Sequence, residues 1–129
     1  GPHETYQDRK QSGVLKVHES TVTEQYVPYI LPQDHGNLTD VRWLCLRASA
    51  QSMFKVVGDQ PFEASASHYP KEMLLPAFHT YDIAPVDQTF LSLDVQQRGV
   101  GGASCGPDTL PQYRLGHGNF ILSYQLELV

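Results

Sequence analysis

Proline and glycine punctuate this chain through most of its length, nine of one and ten of the other in 129 residues. Proline removes a backbone donor and fixes φ, and glycine weakens helix interiors, so few stretches remain where a long helix can form. The segments between the breaks are strand-sized. The clearest strand is the last. In Asn119–Leu128, Phe120, Leu122, Tyr124, Leu126 and Leu128 fall on one face, and Ser123, Gln125 and Glu127 fall on the other. This period of two predicts one buried and one wet face. Val41–Arg47 is apolar on both sides except at its ends, the pattern of a central strand. Met53–Val57, Phe62–Ser67 and Phe90–Val95 are further strand candidates, with a shorter one at Tyr113–Leu115 after Pro111. The only helix indicated lies within Ser67–Leu75, with Pro70 near its start and Pro76 beyond its end. The pattern predicts an all-β fold, an antiparallel β-sandwich with at most one short helix, in a single domain over residues 1–129.

Composition narrows the function classes. The net charge is −5, and the nine Lys and Arg are scattered, which argues against nucleic acid, whose phosphates demand a basic face. No apolar run approaches the roughly 20 residues of a membrane span, and no signal peptide is recognisable. Cys45 and Cys105 are too few for a disulfide framework and lack zinc-finger spacing. Both are expected as free thiols, Cys45 as a small buried hydrophobe within its strand. Trp43, flanked by Val41, Leu44 and Leu46, is expected in the core.

Candidate chemistry is sparse. None of the six histidines pairs with another His or a Cys at ligand spacing, so no metal site is assigned. Ser104-Cys105-Gly106 is reminiscent of an activated cysteine, yet no catalytic base or local signature accompanies it. Among the carboxylates, only Asp94 follows an apolar strand in the manner of a tuned general acid, and it serves equally well as a turn cap. The most unusual segment is Gln97–Pro107, whose four glycines within eight residues permit positive φ and close backbone approach. It lacks the Lys-Ser/Thr ending and following helix of a phosphate-binding loop.

At this loop the sequence resembles a known family. Leu91-Ser-Leu-Asp-Val-Gln-Gln-Arg-Gly-Val-Gly-Gly102, followed by Gly106-Pro107, is similar to the C-terminal domain of glycoside hydrolase family 2 β-galactosidases and to the small chain of their heterodimeric relatives. Three more blocks agree in order. Gly1–Arg9 fits the pattern G-P-x-E-x-Y-x-D-R. Tyr26–Asn37 with Asp40-Val-Arg-Trp43 fits P-Y-x-x-P-Q-x-x-G-N-x-x-D-V-R-W. Phe62–Pro70 and His79 fit the intervening segment.

The resemblance implies a supersandwich, galactose-mutarotase-like fold and a retaining, cytoplasmic glycosidase that cleaves terminal β-D-galactosides such as lactose. It places the catalytic glutamates in a (β/α)₈ barrel, which this chain is too short to contain. The chain corresponds to the second half of the family's C-terminal domain. Its implied partners are the catalytic barrel or a large subunit, the galactoside reached through the parent enzyme, and a second copy in a homo-oligomer. The Mg²⁺ or Na⁺ often used by the family is not assigned to this chain. In the family a loop of this domain helps to shape the sugar pocket, which carries a substrate-binding role to Gly102, Ser104 and Cys105, and a catalytic role to no residue. Some members read G-G-D-D-S-W there, with a tryptophan as aromatic platform; this chain reads Gly101-Gly-Ala-Ser-Cys-Gly106 and has no aromatic at the position. The residues alone leave two other readings open: an autonomous carbohydrate-binding module using some of the seven tyrosines, and a structural interaction domain.

Overall fold

The computed structural model describes residues 1–102 and 105–128. Four strands form one antiparallel sheet: β1 (Leu38–Ser49), β2 (Ser52–Ser67), β3 (Phe90–Asp94) and β4 (Tyr124–Leu128). One short α-helix, α1 (Lys71–Leu74), and three 3₁₀ turns are the only helical elements among the described residues. The all-β, antiparallel class expected from the punctuation therefore holds.

The sheet is organised around β2. β1 runs along one side of it, from Leu38 opposite Ala64 to Ser49 opposite Ser52. The other side is shared, with β4 pairing Phe54–Gly58 and β3 pairing Glu63–Ser67. Between these two partners the backbone is held by the chain leading into β4. The Asp59 amide donates to the Ser123 carbonyl and the Gln60 side chain to the Ile121 carbonyl, both at 3.0 Å. The β1–β2 register shifts on both sides of Val41, where Asp40 adopts φ 58°.

Alternation sorts the side chains of β2 between two chemically different faces. Val56, Phe62 and Ala64 are buried on the apolar face, packed with Val41, Leu44, Phe54, Leu91, Leu93 and Leu122. At the Ser67 end the opposite face is polar. There Glu63 and Ser67 bond residues of the first 37 positions, so the N-terminal segment is laid against this half of the sheet.

Several sequence expectations are refined. Met53–Val57 and Phe62–Ser67 are two parts of the single strand β2. The helix is confined to Lys71–Leu74, because β2 continues to Ser67 and Pro70 is its N-cap. Tyr113–Leu115 forms no strand; Pro111 opens a 3₁₀ turn over Pro111–Tyr113 instead. Val41–Arg47 lies within β1, an edge strand rather than a central one. Trp43 is correspondingly 46% exposed and Cys45 is exposed, against the expectation of burial. The ladder explains why. Trp43 and Cys45 share a face with Arg47 and lie across from Val57 and Lys55, on the polar side of this end of the sheet.

The alternation of the final segment is also only partly realised. β4 begins at Tyr124, and its apolar positions Tyr124, Leu126 and Leu128 are exposed, Leu128 at 89%. An apolar face is present as predicted, with Leu122 packed on the core and the positions from Tyr124 onward left largely open.

Candidate functional site

Three buried or half-buried carboxylates, Glu4, Asp8 and Glu63, tie the N-terminal segment to the rest of the fold, and each accepts two or more hydrogen bonds. Glu4 lies on the segment leading into a tight turn in which Tyr6 and Arg9 exchange backbone hydrogen bonds, at 3.2 and 2.8 Å. Its carboxylate takes hydrogen bonds from Arg9, from the Tyr29 hydroxyl and, at 2.9 Å, from the Gly36 amide. Burial alone would raise its pKa; the bonds from Tyr29, Gly36 and Arg9 outweigh that and hold the group below the usual carboxylate range. The nearby Tyr6 phenol is pushed far up, first by burial and then by the Glu4 charge.

Glu63 on β2 is 1% exposed. It receives the Gln7 side-chain amide at 2.6 Å and that of Asn37 at 2.8 Å. Asn37 also donates to the Thr5 carbonyl at 3.0 Å, and its own carbonyl accepts from the Thr5 amide at 2.7 Å. The strand-like pairing of Thr5 with Asn37 and the side-chain bonds to Glu63 thus dock the first block of the sequence on the second and third.

Asp8, at the tip of the Tyr6–Arg9 turn, faces the glycine loop. Its two oxygens accept the amides of Val100 at 3.0 Å and Gly101 at 2.8 Å. The flanks of the loop are pinned separately. The Gly99 amide donates to the Tyr113 carbonyl at 2.8 Å, and the buried Thr109 hydroxyl donates to the Gly99 carbonyl at 3.0 Å. Gly101 has φ 57°, and a Cβ there would lie 2.6 Å from the Thr109 hydroxyl oxygen, so this position requires glycine. Asp108 binds both Arg98 and Arg114. The Thr109 amide foremost, then Arg114 and Arg98, holds the Asp108 carboxyl below its ordinary range.

The predicted site residues are placed unevenly. Gly102 and Cys105 are exposed at the outer part of the loop, with the Cys105 amide donating to the Gly102 carbonyl at 3.1 Å. Ser104 lies outside the described residues. Asp94 accepts from the Gln97 side chain at 3.0 Å. A hollow of about 380 Å³ is bordered by Pro2, His3, Glu4, Arg9, Ser12 and Glu24, but its buried carboxylate, Glu4, is fully engaged. Among the described residues no three His, Cys, Asp or Glu side chains converge as metal ligands.

Sequence reasoning named the loop but missed its support. Glu4, Asp8, Asn37 and Glu63 all stand inside the motif blocks; their polar character within otherwise apolar or turn-forming segments was the available signal.

The four blocks that are separate in sequence are thus one hydrogen-bonded unit in space, and comparison with known proteins gives a concordant result. A family model described as beta galactosidase small chain matches residues 1–128. A beta-galactosidase of Priestia megaterium is 37% identical over 116 residues, covering 89% of this chain and 11% of the relative. One from Vibrio cholerae is 35% identical over 99% of this chain and 12% of the relative. One from Staphylococcus xylosus is 30% identical over 100% of this chain and 13% of the relative. The chain spans about an eighth of the length of these relatives. With the family model matching nearly every residue, the chain belongs to the beta-galactosidase small-chain family.

Proposed function

We propose that this chain is a non-catalytic part of a retaining β-galactosidase acting on terminal β-D-galactosides such as lactose. It packs on the catalytic barrel or large subunit and presents its glycine loop to the sugar site. The observation that carries this reading is the state of the carboxylates. Retaining hydrolysis needs two carboxyl groups about 5–5.5 Å apart, one of them free to exchange a proton with the leaving group. Here Glu4 and Glu63 are fixed by two or three donors each, and Asp8 is committed to backbone amides. The loop presents an exposed Gly102 and the Cys105 thiol on a limb whose own amides are already bonded, which suits shaping a polyol pocket and not proton transfer. The acid, the nucleophile and any Mg²⁺ or Na⁺ belong to the remainder of the enzyme, in the cytoplasm.

The exposed apolar positions of β4 support the packing role, since an apolar sheet face left uncovered by the chain itself is suited to a partner surface. The test is to replace Ser104 and Cys105 with alanine in the intact enzyme. Galactoside binding should weaken by about 1–2 kcal/mol, the order of one or two hydrogen bonds. Unchanged affinity and rate would remove the loop from the sugar site.

The exposure of Trp43 favours one second reading, a carbohydrate-binding module with an indole platform. Its cross-strand partner is Val57, which in turn pairs with Gln125, so no second aromatic extends the platform across the ladder. Galactoside binding by the isolated chain, abolished by Trp43→Ala, would favour the module.

A further inference from the structure

We infer that Asp8 is the positioning residue of the galactoside-shaping loop, an inference that rests on the loop's proposed place at the sugar site. The argument starts from where Asp8 stands. It occupies the turn closed by the reciprocal Tyr6–Arg9 backbone bonds, so its Cα is fixed by main chain rather than by its own side chain. The residue before it, Gln7, reaches the opposite way and donates to Glu63 on β2 at 2.6 Å. Adjacent residues of one turn therefore tie the sheet and the loop together: Gln7 to β2, Asp8 to Val100 and Gly101.

The chemistry of the Asp8 contact concerns backbone geometry. Each carboxylate oxygen accepts one amide, from two consecutive residues, at 3.0 and 2.8 Å. Two parallel charge-assisted bonds of this kind fix the orientation of the intervening peptide plane as well as its position. Gly99 adds a steric component. A Cβ on Gly99 would lie 2.6 Å from the Asp8 carboxyl carbon and 2.7 and 2.8 Å from its oxygens, so the carboxylate fits against bare backbone. Gly101 packs in the same way on Thr109, whose hydroxyl closes the far side at the Gly99 carbonyl. The limb from Gly99 to Gly102 is thereby clamped between Asp8 and Thr109, while Gly102 and Cys105 at its end remain exposed. Asp8 acts on substrate only through this limb.

The experiment uses the intact β-galactosidase containing this chain, with Asp8→Asn and, separately, Gly99→Ala. Asparagine keeps one acceptor and turns an NH₂ toward the second amide; alanine at 99 displaces the carboxylate with Asp8 still present. Amide exchange at Val100 and Gly101 should rise about tenfold or more in each variant. KM for a chromogenic galactoside should rise about 5- to 20-fold with kcat changed by less than about threefold, a split that general destabilisation does not produce. Asp8→Asn combined with Gly99→Ala should be no worse than either change alone, because both break one contact. Unchanged exchange at Val100 and Gly101 would overturn the positioning role. Faster exchange with an unaltered KM would instead show that the clamp exists but the loop does not serve the sugar, which would sink the functional reading beneath it. If Asp8→Asn fails to assemble, Gly99→Ala carries the same two readouts.

Discussion

Asn37 and Glu63 are each 1% exposed and are joined by a 2.8 Å hydrogen bond from the asparagine amide to the carboxylate. Through this bond the N-terminal segment, β1's leading end and β2 form one unit. Asn37→Ala would leave the Thr5 carbonyl without its side-chain donor and Glu63 with only Gln7. Buried groups left unpaired in this way cost about 2–4 kcal/mol in total. Chemical denaturation should show that loss for Asn37→Ala, whereas an exposed substitution such as Gln51→Ala should stay within about 0.5 kcal/mol. Equal stabilities would mean the network is not formed in solution.

Glu4 sets an acid limit. Its folded pKa lies below the ordinary value of 4.5, so the unfolded chain takes up the proton first as pH falls. The stability contributed by the ionised group is fully present above the unfolded pKa and is lost as pH falls through the lowered folded one. Melting temperature should therefore decline as pH is lowered below about 4.5. Glu4→Gln should be less stable near neutrality and show a flatter acid decline. An identical pH profile in the variant would contradict the assignment.

Both cysteines are free and exposed. A thiol reagent should titrate two groups on the native isolated chain, without denaturant. One or none reacting natively, with two after unfolding, would place a thiol in the interior.

Trp43 at 46% exposure should tolerate truncation better than a core indole. In the isolated chain Trp43→Ala should cost clearly less than the about 3–5 kcal/mol typical of a fully buried large aromatic. A loss in that full range would restore the core placement.

The fold class was legible because proline, glycine and period-two alternation act locally. β3 and β4 fall within the segments that pattern marked, Phe90–Asp94 almost to the residue, whereas β1 and β2 run beyond theirs. What the pattern could not carry was partnership. Val41–Arg47 reads as central because apolar residues stand at both odd and even positions, yet only Val41, Leu44 and Leu46 of it lie on the apolar face, across from Phe62, Val56 and Phe54. Trp43 and Cys45 point to the side bearing Arg47 and Lys55. The Phe120–Leu128 alternation likewise marks a face without saying what covers it. The loop at Gly99–Gly106 was visible from composition alone, but its anchor lies more than 90 residues earlier, at Asp8. No local periodicity reports a contact of that range; only the presence of both residues in motif blocks hinted at it.

The central claim is that this chain shapes a galactoside site whose catalytic carboxylates lie elsewhere in the enzyme. Hydrolysis of a chromogenic β-galactoside, measured side by side for the intact protein and the purified 129-residue chain, tests it most directly. The account predicts turnover by the intact protein and none by the chain above a matched blank. Turnover by the pure chain, or its absence from the intact protein, would contradict it.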